Sequence, residues 1–193
     1  MKRFFPVLKT ERLTLRELLP GDLEILYKNW SDPLTMEHLS VGLLSRERSA
    51  EMLKLLSRLW EYDQGIRWGI DYEATLIGTC GFHNLRPESG RAEIGYELHR
   101  AYWRRGFMKE AAGAILGFGF KNLNFMRIEA LTNIDNHPSI SFLTHMGFTE
   151  EGLLRDYENT PSGLIAQRIF SLLRREWEKT KGINNPISSI FPG

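Results

Sequence analysis

The segment from Arg91 to Ala111 carries the residues of this chain that are best suited to bind an anion. A strand-like run is followed by a short polar turn and then by the start of a helix, and Arg104, Arg105 and Gly106 occupy the turn. Backbone N–H groups at a helix N-terminus carry partial positive charge, and Gly106 lacks a Cβ that would keep an anion away. The pattern predicts a phosphate or pyrophosphate site, although the same tripeptide in isolation also suits a solvated loop that opens a helix.

Two glutamates precede this turn on the same predicted strand. Glu93 stands between the apolar residues Ala92 and Ile94, and the two-residue period of a strand places Glu97 on the same face. Burial among apolar neighbours would raise the pKa of the Glu93 carboxyl toward neutrality, which suits a general base. We therefore predict Glu93 as the base, with Glu97 as the second candidate. The competing interpretation has Glu93 exposed or paired with an arginine.

The histidines and the cysteine give little support for a metal site or a disulfide. The five histidines lack the spacing of metal ligands, and we expect each to be structural or exposed; they are His38, His83, His99, His137 and His145. The single cysteine, Cys80, excludes an internal disulfide and is typical of a small buried hydrophobic residue. The prediction is a protein without a metal cofactor, in a reducing compartment.

Hydrophobic periodicity and turn residues define the elements that must position these groups. The predicted helices begin at the N-cap residues Asp22 and Ser45, at Gly106 and at Pro138, and a short helical end follows at Arg174–Thr180. Seven strands are predicted: Arg12–Leu18, Ile66–Tyr72, Thr75–Leu85, Arg91–Leu98, Met126–Thr132, Phe148–Tyr157 and Leu164–Leu173. The order indicates an α+β fold with one mixed, mostly antiparallel seven-stranded sheet and helices on both faces.

Size and charge narrow the class of protein further. The chain has 193 residues and a net charge of +1, which favours one domain over residues 1–180 and does not favour a nucleic-acid partner. Residues 181–193 lack any period and are predicted to form a loose tail. The N-terminus lacks the features of a signal peptide and no run approaches the length of a membrane span, so we expect a cytoplasmic protein without membrane association.

Three segments, in order along the chain, resemble the GNAT acetyltransferases and their ribosomal-protein-acetylating, RimJ/RimL-like branch. Residues 92–111 are similar to the strand, loop and helix that bind the pyrophosphate of CoA, residues 8–33 resemble the opening segment, and residues 126–152 resemble the second CoA motif. The match covers nearly the whole chain. Two positions of the loop depart from the family pattern: Arg104 replaces a common glycine and Met108 replaces a small residue.

This resemblance implies an N-acetyltransferase that uses acetyl-CoA as co-substrate and a primary amine as acceptor. It implies cofactor contacts at Leu98, at Asn136 and along the loop formed by Arg104, Arg105, Gly106, Phe107 and Met108. Leu98 would donate its backbone N–H to the thioester carbonyl, near a bulge that opens the sheet. Glu93 matches the base of related enzymes, and Ser139 matches a serine proposed as acid toward the CoA thiolate. Many relatives use a tyrosine as the acid at the position of Leu143.

The sequence does not identify the amine that accepts the acetyl group. A protein N-terminal α-amine and a small-molecule amine both fit, and we expect the acceptor pocket at the loop Ser31–Leu44 and the hairpin Tyr157–Leu164. The chain is expected to be a monomer or a homodimer. The alternative function is a catalytically weak sensor that binds acyl-CoA, which Met108 and Leu143 keep open.

Overall fold

The computed structural model of the protein describes residues 4–39, 41–160 and 163–181. Its strands are β1 (Leu8–Lys9), β2 (Leu13–Glu17), β3 (Ile66–Tyr72), β4 (Thr75–Arg86), β5 (Arg91–Leu98), β6 (Arg127–Asn133), β7 (Thr149–Thr160) and β8 (Gly163–Leu173). Its helices are α1 (Leu23–Trp30), α2 (Pro33–Met36), α3 (Arg46–Arg58), α4 (Phe107–Lys121), α5 (His137–His145) and α6 (Arg174–Lys181).

All the strands join one sheet in the order β1-β2-β3-β4-β5-β6-β8-β7, so the described residues form eight strands where seven were predicted. The additional strand is β1, in which Leu8 pairs with Leu15 of β2. Two residues are too few to show a period, which is why the sequence did not reveal it. Every neighbouring pair is antiparallel except β5 with β6. The α+β class and the mixed sheet are confirmed.

Helices cover the sheet on two faces, as the apolar patterns predicted. On one face α4 packs into the main core, which holds Trp68, Phe82, Phe107, Ile115 and Phe170 among others. On the other face α1 and α3 pack through a smaller cluster over β2 to β4, formed by Leu18, Leu26, Trp30, Met36, Leu53 and Leu76. We call these the α4 face and the α1 face.

The segment Ser31-Asp32-Pro33 connects two helices. It ends α1 and begins α2, because the Asp32 carboxylate accepts a hydrogen bond from the Thr35 N–H and Pro33 occupies the first helical position. The predicted tail, residues 181–193, lies outside the described residues apart from Lys181. None of the described helices combines the length and the apolar character that a membrane span requires.

The feature that positions the site is a split in the middle of the sheet. Strands β5 and β6 pair in parallel only from Arg91 opposite Arg127 to Glu93 opposite Glu129. Beyond these pairs the two strands continue without pairing to each other, β5 as far as Leu98 and β6 as far as Asn133. Both strands therefore present edge groups toward an opening in the sheet, which we call the split.

Candidate functional site

The turn after β5 has the backbone geometry of an anion site. Arg104 and Gly106 both adopt left-handed backbone angles, with φ of 58° and 78°. Gly106 is the N-cap of α4, and the first bond of that helix runs from the Glu110 N–H to the Gly106 carbonyl. The N–H groups of Phe107 and Met108 precede that bond and face out of the helix end. The turn predicted at Arg104–Met108 is therefore present, with its backbone donors directed outward.

Contacts on the inner side hold this turn in place. The Arg105 guanidinium lies 4.9 Å from the centre of the Phe107 ring and also approaches the rings of Tyr72 and Tyr102. Arg12 donates from Nη1 to the Arg105 carbonyl at 3.0 Å and pairs with Glu110 at 2.7 Å. The turn is thus tied to the start of β2, a connection between distant segments that the sequence patterns did not suggest.

The two departures from the family loop pattern leave the outer surface of the turn open. Met108 is half-buried and packs against the main core, so its side chain points inward. Phe107 is almost fully buried, which means that it offers only its backbone N–H to a ligand. Arg104, Arg105 and Gly106 are exposed. The turn offers an anion two guanidinium groups and a helix N-terminus.

The Leu98 N–H points into the split. On the other edge of β5, the neighbouring His99 N–H donates to the Ile77 carbonyl of β4 at 2.9 Å. Successive N–H groups of a strand point to opposite edges, so the Leu98 N–H faces the β6 side. The Leu98 carbonyl on that side accepts a hydrogen bond from Trp103 Nε1 at 2.6 Å. The Leu98 N–H, which was predicted as a donor, therefore lies at the open edge of β5. It is followed along the chain by the turn Arg104–Met108, which we call the anion turn.

The expected bulge beside Leu98 is absent from the described β4–β5 pairing. The register runs without interruption from His83 opposite Glu93 to Gly78 opposite Leu98, and the irregularity lies between His83 and Arg86. The sheet opens because β6 stops pairing with β5, not because β5 bulges away from β4.

Two hydroxyl groups meet across the split on the α4 face. Tyr96 on β5 and Ser139 on α5 lie with their side-chain oxygens 2.7 Å apart. Burial raises the pKa of Tyr96 well above its ordinary value, and the contact with Ser139 acts in the opposite direction. The Tyr96 ring packs edge-on against Phe142 at 4.8 Å. Sequence reasoning missed Tyr96, although the strand period places it on the face opposite Glu93.

Asn136 and Leu143 support α5. Asn136 is the N-cap of that helix, and its Oδ1 accepts a hydrogen bond from the Ser139 N–H at 3.1 Å. The capping interaction fixes the first turn, which carries Ser139. Leu143 is fully buried in the main core. Leu143 therefore packs in the core. The tyrosine hydroxyl that lies beside Ser139 belongs instead to Tyr96 on β5.

Glu97 is held in a closed network on the α1 face. Its carboxylate pairs with Arg67 on β3 and accepts hydrogen bonds from Thr79 on β4 and from Trp30 Nε1 on α1. The Glu97 side chain is only 6% exposed. A carboxylate with these partners joins α1 to the middle of the sheet, which makes it a weak candidate for a base.

Glu93 shares the α1 face with Glu97, as the two-residue period predicted, but the expected pKa is wrong. Burial does act to raise the pKa of the Glu93 carboxyl. His83 and Asn84, which bond its two oxygens at 3.1 and 2.9 Å, and Arg91 outweigh burial, so the pKa lies below its ordinary value. His83 and Asn84, which lower this pKa, lie on the neighbouring strand β4. The sequence around Glu93 therefore does not reveal them.

The segment between α1 and α3 lies across the mouth of the split. At one end Asp32 lies 3.5 Å from Arg100, which follows β5. At the other end the His38 carbonyl accepts a hydrogen bond from Asn133 Nδ2 at 3.4 Å, and the His38 ring lies 3.7 Å from Asp135. This segment was expected to line the acceptor pocket, and its contacts place it at both strand ends that flank the split.

The second element expected at the acceptor pocket is the hairpin of β7 and β8. Its residues Leu153, Tyr157 and Leu164 are about half exposed or more, at 54%, 51% and 61%. The hairpin therefore presents apolar side chains to solvent. No group of three histidine, cysteine, aspartate or glutamate side chains that could hold a metal occurs within residues 4–39, 41–160 and 163–181. Cys80 is buried, and burial raises the pKa of its thiol to about 12.

Comparison with known proteins gives matches over most of the chain. Residues 12–149 match the family model described as the acetyltransferase (GNAT) domain. The chain is 42% identical over 173 residues to the uncharacterized N-acetyltransferase p20 of Bacillus licheniformis, a match that covers 88% of this chain and 97% of the relative. It is 40% identical over 156 residues to the uncharacterized N-acetyltransferase YoaA of Bacillus subtilis (strain 168), covering 79% and 88% of the two chains.

A similar fold is found among solved structures. The ribosomal L7/L12 α-N-protein acetyltransferase RimL, in complex with coenzyme A, superposes with a TM-score of 0.77 over 87% of this chain and 98% of that one. The two sequences are 17% identical, so the likeness concerns the fold.

Proposed function

The chain belongs to the GNAT acetyltransferase family, and from this membership we propose that it transfers the acetyl group of acetyl-CoA to a primary amine. The acceptor is a protein N-terminal α-amine or a small-molecule amine. The observation that carries the proposal is the split: an unpaired strand N–H, at Leu98, lies beside a helix N-terminus flanked by two arginines. Acetyl-CoA carries a thioester carbonyl and a pyrophosphate. The strand N–H would bind the carbonyl, and the helix N-terminus with its arginines would bind the pyrophosphate.

The residues of the turn suit the phosphate end of this substrate. Arg104, Arg105 and the N–H groups at the start of α4 would hold the pyrophosphate, and the open edge of β5 would accept the pantetheine arm as if it were another strand. Asn136, at the start of α5, would contact the same substrate from the other side of the split. RimL, which shares the fold, is known in complex with coenzyme A.

The chemistry requires an oxyanion donor, a base and an acid. Acetyl-CoA supplies an activated acetyl group as a thioester. Leu98 would donate its N–H to the carbonyl oxygen while negative charge develops there, and one such donor is worth about 3 kcal/mol. Ser139 and Tyr96, whose hydroxyls are in contact, would supply a proton to the departing thiolate. Burial keeps Tyr96 protonated, which suits a proton donor.

Glu93 is the residue proposed as the general base, acting through another group. Its side chain is 16% exposed on the α1 face, the face toward which the α1–α3 segment also projects. Leu98 lies five positions after Glu93 on β5, which is about 16 Å of extended strand. At that distance Glu93 acts on the amine through intervening groups. Glu97, although closer to Leu98, is neutralised by Arg67.

The experiment that tests the proposal measures thiol release from acetyl-CoA with a panel of amines, alongside the thermal unfolding of the protein. The panel contains peptides with free N-termini, the same peptides with blocked N-termini, and small primary amines. Turnover that depends on a free amine, together with a rise in Tm on adding acetyl-CoA, supports the transferase. A rise in Tm without turnover on any amine supports the acyl-CoA sensor, and the absence of both contradicts the assignment of the split as the substrate site.

A further inference from the structure

We propose that His83 accepts the proton of the substrate amine and that Glu93 acts by positioning His83. This inference rests on the proposed function, since it names the group that makes the amine nucleophilic. Its basis is the pair formed across the β4–β5 ladder, where His83 Nε2 lies 3.1 Å from Glu93 Oε1 and the two residues are direct partners in register.

The pair fixes which nitrogen of the ring is basic. An ionised carboxylate can only accept a hydrogen bond, so the neutral His83 ring carries its proton on Nε2. Nδ1 then holds the free lone pair, and among the described residues it has no hydrogen-bond partner. Asn84 Nδ2 holds the second oxygen of Glu93 at 2.9 Å, which orients the carboxylate toward His83. A carboxylate, an imidazole and a free ring nitrogen in this order form a general base.

The ring leans along the strand toward Leu98. A Cβ built on Gly95 would lie 3.1 Å from His83 Cε1 and 3.4 Å from His83 Nδ1, and 2.9 Å from Arg67 Nη1. Gly95 is two residues closer to Leu98 than Glu93 is, so Nδ1 reaches part of the distance that separates Glu93 from the split. Gly95 has no side chain, and the His83 ring and the Arg67 guanidinium fill the space above it. Because the His83 side chain is partly exposed, surface water can carry a proton over the remaining distance.

Two charged groups face the His83 ring, the Glu93 carboxylate on β5 and the Arg67 guanidinium on β3. Glu97 neutralises Arg67 from the side nearer the split. The His83 side chain is 40% exposed, so a proton that it has taken can leave to solvent. The lowered pKa of Glu93 supports this assignment, because a weakly basic carboxylate serves better as a partner for imidazolium than as the base itself.

The protons balance in this scheme. The substrate ammonium gives one proton to His83 Nδ1 through water, and the neutral amine attacks the thioester carbon. The C–S bond breaks, the Tyr96 and Ser139 hydroxyls give a proton to the thiolate, and the proton still carried by the new amide nitrogen replaces it. His83 returns its proton to solvent, so the net products are the acetylated amine, CoA thiol and one proton.

The test compares His83→Gln and Glu93→Gln at saturating acetyl-CoA. We expect His83→Gln to lower kcat/KM for an alkylamine by about 10²- to 10³-fold, and Glu93→Gln to lower it by about tenfold. The loss in His83→Gln should shrink with rising pH, and it should be small for an acceptor that is already neutral at the assay pH, such as an aromatic amine or a hydrazide. Added imidazole should restore part of the activity of His83→Gln.

Binding is the matched control, because the rise in Tm with acetyl-CoA should be the same in both variants and in the wild type. A His83→Gln variant with wild-type kcat/KM would overturn the inference and leave the transferase intact. An equal loss with ammonium and neutral acceptors would also overturn it, since a merely structural histidine would produce that result. Absence of turnover in the wild-type protein would instead remove the proposed function on which the inference rests.

Discussion

Tyr96 Oη and Ser139 Oγ lie 2.7 Å apart, although one residue belongs to a sheet strand and the other to the first turn of α5. They meet because β5 and β6 separate after Glu93, which lets α5 approach the open edge of β5 on the α4 face. The pair joins the two sides of the split at a point adjacent to Leu98. A hydroxyl that donates to a leaving thiolate needs its own proton replaced, and a second hydroxyl in contact can do this.

We predict that Tyr96→Phe and Ser139→Ala each lower kcat by about 10²-fold, with little change in the KM for acetyl-CoA. Tyr96→Phe keeps the ring contact with Phe142, so folding should be preserved. The double variant should be no slower than the slower single variant, because the two hydroxyls act as one relay. Steady-state kinetics check this prediction, with the exposed Tyr62→Phe as a control. Losses that multiply in the double variant would show that the two hydroxyls act independently.

The anion turn leads to a second prediction, on cofactor affinity. Gly106→Asp should reduce the affinity for acetyl-CoA by at least about 10²-fold, because it places a negative charge beside the proposed pyrophosphate site and a Cβ where φ is 78°. Isothermal titration with CoA measures the effect. The control is Gly42→Asp, since Gly42 also has a left-handed φ, of 64°, and nothing within 4 Å of its Cβ position. Equal affinity in the two variants would contradict a phosphate role for the turn.

The Glu97 network predicts a loss of stability. Glu97→Gln leaves Arg67 largely buried without its counter-charge, so the free energy of unfolding should fall by about 3 kcal/mol. Urea denaturation measures this fall. Arg67→Met in the Glu97→Gln background should recover part of it, because the unpaired charge is then removed. If Glu97→Gln is as stable as the wild type but catalytically dead, Glu97 is the base and the structural role assigned to it is wrong.

Acid should weaken one surface ion pair in a defined pH window. Arg127 bonds Glu151 and, with Ser171, lowers the pKa of that carboxyl from 4.5 to about 2. A carboxyl with a depressed pKa stabilises the fold above its unfolded pKa, and the contribution is lost as pH falls toward the folded pKa. Stability should therefore decline between about pH 4.5 and pH 2, and Glu151→Gln should flatten this part of the curve. Because the pair is partly exposed, the effect should stay below about 1 kcal/mol in urea titrations at several pH values.

The sequence predicts most of the fold because helix and strand periods repeat within each element. Among the described strands and α-helices, the two that it missed are β1 and α2, which have two and four residues, too few for a period to appear. The anion turn was also predictable, since Arg104, Arg105 and Gly106 are neighbours in sequence and the helix that follows is strongly apolar.

The contacts that set the chemistry were less accessible to sequence reasoning. Tyr96 and Ser139 are 43 residues apart, and their contact depends on where β6 leaves β5. The Glu93 pKa was expected to rise because its own strand shows apolar neighbours, whereas His83 and Asn84 on β4 lower it. Such cross-strand partners depend on register, which turn length and bulges determine and which the Glu93 segment does not contain.

The segment across the mouth of the split leads to the last prediction, on acceptor binding. Asn133 Nδ2 donates to the His38 carbonyl, and Gln167 Nε2 donates at 3.3 Å to Asn133 Oδ1, which fixes the orientation of the Asn133 amide. Asn133→Leu removes the hydrogen bond to the segment while keeping the side-chain volume. The hydrogen bond contributes about 1 kcal/mol to the order of the segment, and without it the segment must be ordered when the amine binds. The KM for the amine should then rise about fivefold.

The KM for acetyl-CoA should not change, since the anion turn lies after β5 and Asn133 lies on β6. Gln167→Leu should produce a smaller effect in the same direction, because it only frees the Asn133 amide to rotate. Asn122→Leu, at an exposed position after α4, is the matched control. Initial rates with each substrate varied in turn separate the two KM values. If Asn133→Leu raises the KM for acetyl-CoA and leaves the KM for the amine unchanged, the segment covers the cofactor side of the split and the acceptor enters elsewhere, past the exposed β7–β8 hairpin.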